Sequence, residues 1–244
     1  TLLTSWNERC GIAAYSRGLV AALKERVAVE VVPVRFDRPA AAQWEGWLQA
    51  LAAGDLVHIQ HAYTFFGGFH PLRDRFARLI RRVRRPVLLT VHEFDPGDGW
   101  RAAYHRWFNR RALLAAPVRG WIVHTDPLRR ALIALGAPAD RVHELPMPVP
   151  APLPTPAREA LRQELGWSER IVLLIPGFLA RRKGYDVALA ALARLPRDYV
   201  LVAAGGEHAA DRTGTAADLR ALADRLGVAD RFTITGYLSD EALA

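Results

Sequence analysis

A short loop rich in glycine and positive charge is the segment of this chain best suited to bind an anion. It runs from Gly177 to Gly184 as GFLARRKG, so two glycines flank Arg181, Arg182 and Lys183. The loop follows an apolar run typical of a buried strand and precedes a helical pattern, so backbone N–H groups and the positive end of a helix dipole would meet there. Phosphate is the anion such a site usually binds. A basic turn exposed to solvent fits the segment about equally well.

Other polar residues follow predicted strands in the N-terminal half of the chain. His92 ends the run PVLLTVH and is followed by Glu93, a pair that could orient a hydroxyl group or act as acid and base. A capping role for His92 is the alternative. His61 lies just past another predicted strand and suits a ligand contact better than His58, whose place in the strand alternation indicates the core. Gly11 precedes a helical pattern and could let the backbone approach a ligand, although an ordinary glycine turn explains it more simply.

Alternating strand-like and helical segments must position these residues. The strand patterns cover residues 27–34, 56–60, 86–91, 120–123, 171–175, 199–204 and 232–235. Helical patterns cover residues 40–53, 100–115, 157–166, 184–195 and 215–226. Two further helical patterns are located at one end only: one ends near residue 83, and one begins with Asp126 as its N-cap. Repeated strand–helix units of this length predict parallel sheets with right-handed crossovers.

A proline-rich stretch divides the chain into two parts. Residues 145–156 read LPMPVPAPLPTP, and such alternating prolines exclude a helix and favour an extended chain. We therefore expect an N-terminal Rossmann-like domain over residues 1–146, a linker over 147–156 and a partial C-terminal Rossmann-like domain over 157–244. A ligand would then bind at the carboxyl ends of the strands, in the cleft between the domains. A long surface loop within one domain is the alternative.

The composition is that of a globular protein and limits its partners. The 244 residues are 51% hydrophobic and 24% charged, with a net charge of +8 and a single cysteine. The charge suits phosphorylated ligands, anionic membranes or nucleic acid, but aromatic and basic residues do not interleave as they do on nucleic-acid surfaces. We therefore expect no nucleic-acid partner. No residues show metal-ligand spacing, and no apolar run reaches the ~20 residues that span a bilayer. The chain starts without Met and stops within a helical pattern, so we expect a fragment.

Five segments, taken in order, resemble successive motifs of the family-4 glycosyltransferases, which have the GT-B fold. They are CGIAAYSRGL, DLVHIQHAYTFFGG, PVLLTVHEF, GWIVHT and GFLARRKGYDVALAAL, and residues 219–244 resemble the stretch before the family's nucleotide-binding helix. The second segment is similar to the QHEYGIFGG sequence of a mannosyltransferase-like subgroup. The resemblance covers nearly the whole chain. It implies an α/β fold of two Rossmann-like, doubly wound parallel-sheet domains that face a cleft, with the second domain incomplete.

The resemblance also implies roles for residues that lie near the reacting atoms. Gly11 matches the glycine loop beside the donor diphosphate and the acceptor. His92 matches a histidine near the reacting carbon of the donor sugar. Lys183 matches the lysine that neutralises the leaving diphosphate, and Arg181 or Arg182 matches its companion arginine. The implied catalytic set is therefore His92, Lys183 and Arg182.

Further donor contacts are implied by position, and some motifs depart from the family pattern. Gly177 belongs to the diphosphate loop, and Tyr237 and Leu238 match a turn whose backbone contacts the nucleobase. Phe178 stands where many members have arginine, and Ala62 replaces the glutamate of the QHEY motif. The Glu-x7-Glu helix of the family does not occur within residues 1–244.

We expect a retaining hexosyltransferase that moves a sugar from a nucleotide-diphosphate donor to a hydroxyl of a glycan or lipid-linked precursor in polysaccharide biosynthesis. Two cations and a helix terminus can replace a divalent metal, so we expect no metal and no other cofactor. The alternative is a non-catalytic nucleotide-sugar-binding fragment or a degenerate relative. We expect a cytoplasmic protein. Arginines between 73 and 85 could hold it against the inner face of the membrane, although a solvated helix face explains them equally well.

Overall fold

Parallel strands run through both halves of the chain in the computed structural model, which describes residues 1–68, 75–149, 153–180, 183–207 and 214–243. The chain folds into two units, Thr1–Val149 and Pro150–Ala244. The boundary between these units falls inside the proline-rich stretch. Each unit has its own sheet and its own core.

The first unit contains a six-stranded parallel sheet with the order β2-β1-β3-β4-β5-β6. Its strands are β1 (Leu2–Thr4), β2 (Val31–Pro33), β3 (Val57–His61), β4 (Val87–Val91), β5 (Val118–Val123) and β6 (Val142–Glu144). The chain moves outward from β1 to β2 and then returns to place β3 on the other side of β1. The loops that follow β1 and β3 therefore diverge, and this is where open parallel sheets bind ligands.

Helices cover this sheet and bury its apolar strands. They are α1 (Gly11–Leu23), α2 (Ala40–Ala53), α3 (Arg75–Arg82), α4 (Ala102–Leu113) and α5 (Asp126–Leu135). Leu3, Ile59 and Leu89 are fully buried at the centre of the core. Continuous apolar runs such as VLLTV are buried because helices pack on both faces of a parallel sheet.

The second unit is smaller and repeats the same strand–helix alternation. Its parallel sheet has the order β7-β8-β9. The elements are α6 (Arg158–Glu164), β7 (Ile171–Pro176), α7 (Tyr185–Leu192), β8 (Tyr199–Ala204), α8 (Thr215–Arg225), β9 (Phe232–Ile234) and α9 (Asp240–Leu243). Leu189, Leu192 and Leu201 form the centre of its core.

The predicted α/β class with parallel sheets is confirmed, and the differences concern short elements. The sequence analysis missed β1 and β6, which are only three residues long and show too little alternation to be recognised. The strand predicted over residues 27–34 is shorter in the structure, where β2 covers only Val31–Pro33. Thr125, rather than Asp126, occupies the N-cap position of α5, and Asp126 lies in the first helical turn.

Candidate functional site

The loop between β1 and α1 is held by small polar side chains. Thr4 and Ser16 are fully buried, and their hydroxyl oxygens lie 2.7 Å apart. Cys10 is the N-cap of α1, and its Sγ accepts a hydrogen bond of 3.4 Å from the backbone N–H of Ala13. Gly11, the first residue of α1, is exposed, and a Cβ added there would meet no atom within 4 Å. The fold itself therefore does not require glycine at this helix start, where exposed N–H groups favour an anion.

A chain of hydrogen-bonded side chains lies where β3 and β4 end. The amide oxygen of Gln60, Oε1, is 2.7 Å from Nε2 of His92. The amide nitrogen of Gln60 is 3.3 Å from Nε2 of His58. That same nitrogen of His58 is 2.8 Å from Oγ1 of Thr90. Gln60 and Thr90 are fully buried, so the middle of the network is protected from solvent.

The ring of His92 is enclosed by aromatic neighbours. The ring centroids of Tyr15 and His124 lie 5.2 Å and 5.1 Å from that of His92. Burial, together with His124 and His58 nearby, lowers the pKa of His92 from 6.5 to about 4. His92 is therefore neutral near pH 7, and one ring nitrogen can accept a hydrogen bond from a hydroxyl group.

The predicted partnership between His92 and Glu93 is wrong. The Glu93 carboxylate accepts a 3.1 Å hydrogen bond from the backbone N–H of Tyr63, whereas His92 bonds to the amide of Gln60. Adjacent residues of an extended chain point to opposite sides, so neighbours in sequence seldom share a site. The sequence analysis missed Gln60, although its place one residue before the end of β3 could have indicated it.

The sequence analysis placed His58 in the core and His61 at a ligand contact, and the structure differs for both residues. His61 is 1% exposed and packs against the rings of Phe66 and Phe76, with centroids 6.1 Å and 4.7 Å away. Burial lowers the pKa of His61 to about 3 and that of His58 to about 4. The structure thus places His61 in the core and gives no support to its expected ligand contact, whereas His58 joins the polar network.

The basic loop of the second unit follows β7 and places Lys183 against the end of that strand. Nζ of Lys183 donates a 2.5 Å hydrogen bond to the carbonyl oxygen of Pro176. Gly177 has φ +94°, and a Cβ added there would lie 2.6 Å from that Nζ. The ammonium group therefore lies beside the strand end, two residues before α7 begins. The predicted Arg181 and Arg182 lie outside the described residues.

Glycine backbones approach one another closely at the ends of β7 and β8. A Cβ added to Gly205 would clash with the carbonyl oxygen of Gly177, and one added to Gly206 would lie 3.1 Å from the backbone nitrogen of Tyr237. The predicted Tyr237 and Leu238 therefore lie near the end of β8 as well as beyond β9. The sequence analysis missed Gly205 and Gly206, although a glycine pair directly after a predicted strand is a recognisable signal.

Hydrogen bonds fix these glycine loops. The hydroxyl oxygen of Thr235 accepts a 3.0 Å hydrogen bond from the N–H of Gly205 and donates one of 2.8 Å to the carbonyl of Gly236. The carboxylate of Glu207 accepts a 2.8 Å hydrogen bond from the N–H of Ala216 at the start of α8. The predicted residues Gly177, Lys183 and Tyr237 therefore lie at one end of one sheet. Gly11 and His92 belong to the first unit.

The described residues hold neither a candidate metal site nor a candidate membrane span. No group of three or more His, Cys, Asp or Glu side chains could hold a metal ion in the part of the chain that the structure describes. None of the helices among those residues is both long and apolar enough to cross a bilayer.

Comparison with known sequences finds glycosyltransferases. The family of glycosyl transferases group 1 matches residues 157–244. A D-inositol 3-phosphate glycosyltransferase from Xylanimonas cellulosilytica is 37% identical over 206 residues, which are 81% of this chain and 47% of that protein. An alpha-D-kanosaminyltransferase from Streptomyces kanamyceticus is 38% identical over 165 residues, covering 65% of this chain and 39% of that protein. The chain thus spans less than half the length of these two relatives.

Comparison with solved structures supports the same fold. The Anabaena protein HepE, crystallised with UDP and glucose, matches 98% of this chain and 69% of its own, with a TM-score of 0.69 and 17% identity. At 17% identity this likeness shows the fold alone, and it confirms the predicted GT-B fold class.

Proposed function

We propose that the protein is a glycosyltransferase using a nucleotide-diphosphate sugar, because residues 157–244 match the family of glycosyl transferases group 1. The observation that carries this proposal is the position of Lys183 in that region, beside the glycine-lined end of β7 and just before α7. A cation and the first N–H groups of a helix suit a diphosphate.

The chemistry we propose begins at the bond between the anomeric carbon of a hexose and the diphosphate oxygen. As this bond breaks, negative charge develops on the diphosphate, and a fixed cation at that point lowers the barrier. The acceptor hydroxyl forms the new bond to the anomeric carbon on the same face, with retention of configuration. Its proton passes to the departing phosphate, so the reaction needs no separate base.

The first unit would contribute neutral hydrogen bonding. His92 is uncharged near pH 7, so it can accept a hydrogen bond from a hydroxyl of the sugar or the acceptor. Gly11 leaves open space at the start of α1, where a ligand can approach the backbone. We propose a glycan or lipid-linked precursor as the acceptor.

A panel of nucleoside diphosphates and their sugars tests the proposal. A ligand that binds only the folded state raises the melting temperature, so the correct donor should do so in proportion to its concentration. Release of the matching nucleoside diphosphate should then depend on an added acceptor. Donor binding without any transfer would favour the alternative of a non-catalytic nucleotide-sugar-binding protein. No binding by any member of the panel would contradict both.

We further propose that an arginine- and tryptophan-rich face of the first unit contacts the anionic cytoplasmic surface of a membrane. Trp100 is 83% and Trp107 is 49% exposed. The guanidinium carbons of Arg101 and Arg111 lie 5.1 Å and 4.8 Å from the centres of these two rings. Residues 99–125 contain no Asp or Glu. Tryptophan prefers the headgroup region, and each arginine near anionic lipid contributes about 1 kcal/mol.

Vesicle sedimentation tests this contact. The protein should bind vesicles containing phosphatidylglycerol and not vesicles of phosphatidylcholine alone, and added salt should weaken the binding. Replacing Trp100 and Trp107 by alanine should abolish it. The matched control is Arg220→Ala with Arg225→Ala, which removes two exposed charges from α8. An equal loss in this control would show that net charge alone causes binding.

A further inference from the structure

Gln60 lies between two imidazole rings at the ends of β3 and β4. Its side chain is fully buried, and its two amide atoms face different histidines. Oε1 is 2.7 Å from Nε2 of His92, and Nε2 is 3.3 Å from Nε2 of His58. Because an amide oxygen only accepts and an amide nitrogen only donates, these two contacts fix the protons on both rings.

The direction of each hydrogen bond follows from this constraint. Nε2 of His92 must carry a proton, since it faces an amide oxygen. Nε2 of His58 must be an acceptor, since it faces an amide N–H. The hydroxyl of Thr90, 2.8 Å from the same nitrogen, must then donate to His58.

We propose that Gln60 is a positioning residue that holds His92 as the Nε2–H tautomer, so that the Nδ1 lone pair is presented to a substrate hydroxyl. This inference rests on the proposed glycosyltransferase function and adds to it the atom that makes the contact. His92 thereby acts as a hydrogen-bond acceptor through Nδ1. Nε2 of His92 is occupied by its hydrogen bond to the buried amide oxygen of Gln60.

The groups that face His92 keep it uncharged. Tyr15 from α1 and His124 from the end of β5 contact its ring, and His58 lies beyond Gln60 on β3. None of these supplies a negative charge near pH 7. The Glu93 carboxylate on its own strand end bonds to the backbone N–H of Tyr63 instead. A neutral amide at position 60 is thus the partner that fixes the ring without favouring its protonated form.

Nitrogen NMR of the histidine side chains tests the tautomer directly, without any need for activity. In the unaltered protein His92, assigned by its loss in His92→Asn, should show a protonated Nε2 and an unprotonated Nδ1. Gln60→Met keeps the side-chain length but removes both hydrogen bonds, so the Nδ1–H form should become populated. His61, which packs among aromatic rings, is the internal control. An unchanged His92 spectrum in folded Gln60→Met would overturn the proposal.

A second variant separates positioning from folding. Gln60→Glu retains an oxygen acceptor for Nε2–H, so the tautomer should persist, but the added negative charge should raise the pKa of His92. Transfer by Gln60→Glu should then decline as the pH falls toward that value, whereas the unaltered protein should remain active. Gln60→Met should lower kcat about tenfold with unchanged nucleotide affinity. An identical pH profile in Gln60→Glu would contradict the positioning role.

Failure of the proposed function gives a different result. If the NMR signatures appear as expected while no donor is bound or turned over, the tautomer assignment stands and the glycosyltransferase proposal is wrong. If turnover occurs and Gln60→Met transfers sugar at the unaltered rate, Gln60 has no positioning role in the reaction.

Discussion

The carboxyl ends of the two sheets differ in the groups that line them: buried side chains in the first unit and backbone in the second. In the first unit, buried side chains form the site, and Gln60, Thr90 and His92 belong to one hydrogen-bonded network. In the second unit, the backbone forms the site, with Gly177 and Gly205 in close approach and one ammonium group beside them.

This difference suits the two strand ends to two kinds of ligand group. Neutral, buried side chains with fixed protons suit hydroxyl groups, whose hydrogen bonds need direction rather than charge. Glycine backbones and a cation suit a diphosphate, which needs close approach and positive charge. The following predictions test whether the first unit contacts hydroxyl groups and the second unit binds the diphosphate.

The largest effect should come from the cation of the second unit. Lys183→Ala should lower turnover about 100-fold, because the charge on the departing diphosphate loses its fixed partner. Affinity for a nucleoside diphosphate, measured by calorimetry, should fall much more than affinity for the nucleoside. Lys24→Ala, which removes the only other lysine, is the matched control. Equal losses for nucleoside and diphosphate would rule out a role at the diphosphate.

The glycine contact of the second unit should be the next most sensitive feature. Gly205→Ala drives a Cβ into the Gly177 carbonyl, so the two loops must separate. We expect a loss of about 3 kcal/mol in the free energy of unfolding. Gly227→Ala is the control, since its φ is +67° but no atom lies within 4 Å of the added Cβ. It should cost about 1 kcal/mol, and a similar cost for both would show that the contact is unimportant.

The buried histidines should make the first unit sensitive to acid. His58, His61 and His92 have pKa values of about 4, 3 and 4 when folded, below the ordinary 6.5. As the pH falls below 6.5, the unfolded chain binds protons that the folded chain does not, so the free energy of unfolding decreases. Each histidine contributes about 1.4 kcal/mol per pH unit until its folded pKa is reached.

Urea unfolding between pH 7.5 and pH 5 measures this slope. Tryptophan fluorescence reports mainly on the first unit, because Trp167 is the only tryptophan beyond residue 149. His61→Phe should reduce the slope by the contribution of one histidine, whatever its effect at pH 7.5. A slope that is the same in both proteins would show that His61 is protonated equally in the folded and unfolded states.

The smallest effect on stability should come from the glycine of the first unit. Gly11→Ala should change the free energy of unfolding by at most about 0.5 kcal/mol, because an added Cβ meets no atom within 4 Å. Donor or acceptor affinity should nevertheless fall, since the Cβ fills the space beside the helix start. Unchanged affinity for both substrates would support the alternative that Gly11 only forms an ordinary glycine turn.

Local patterns predicted much of this protein, and contacts across strands accounted for the errors. The apolar run before His92 and the glycine–lysine loop after β7 are local features, so both strand ends were located correctly. The partner of His92 was predicted wrongly because Gln60 is distant in sequence and adjacent only through the pairing of β3 with β4. His61 was misplaced because the packing of Phe76 decides its burial.

The sequence by itself determined the α/β class, and it predicted a division at the proline-rich stretch and the ends of the strands where polar residues collect. These properties follow from periodicity, proline content and position along the chain, which are local. The tertiary structure alone decided which amide faces His92, which nitrogen keeps its lone pair and how closely Gly205 approaches Gly177. Those facts depend on strand register and on distances of a few ångströms between residues far apart in the chain.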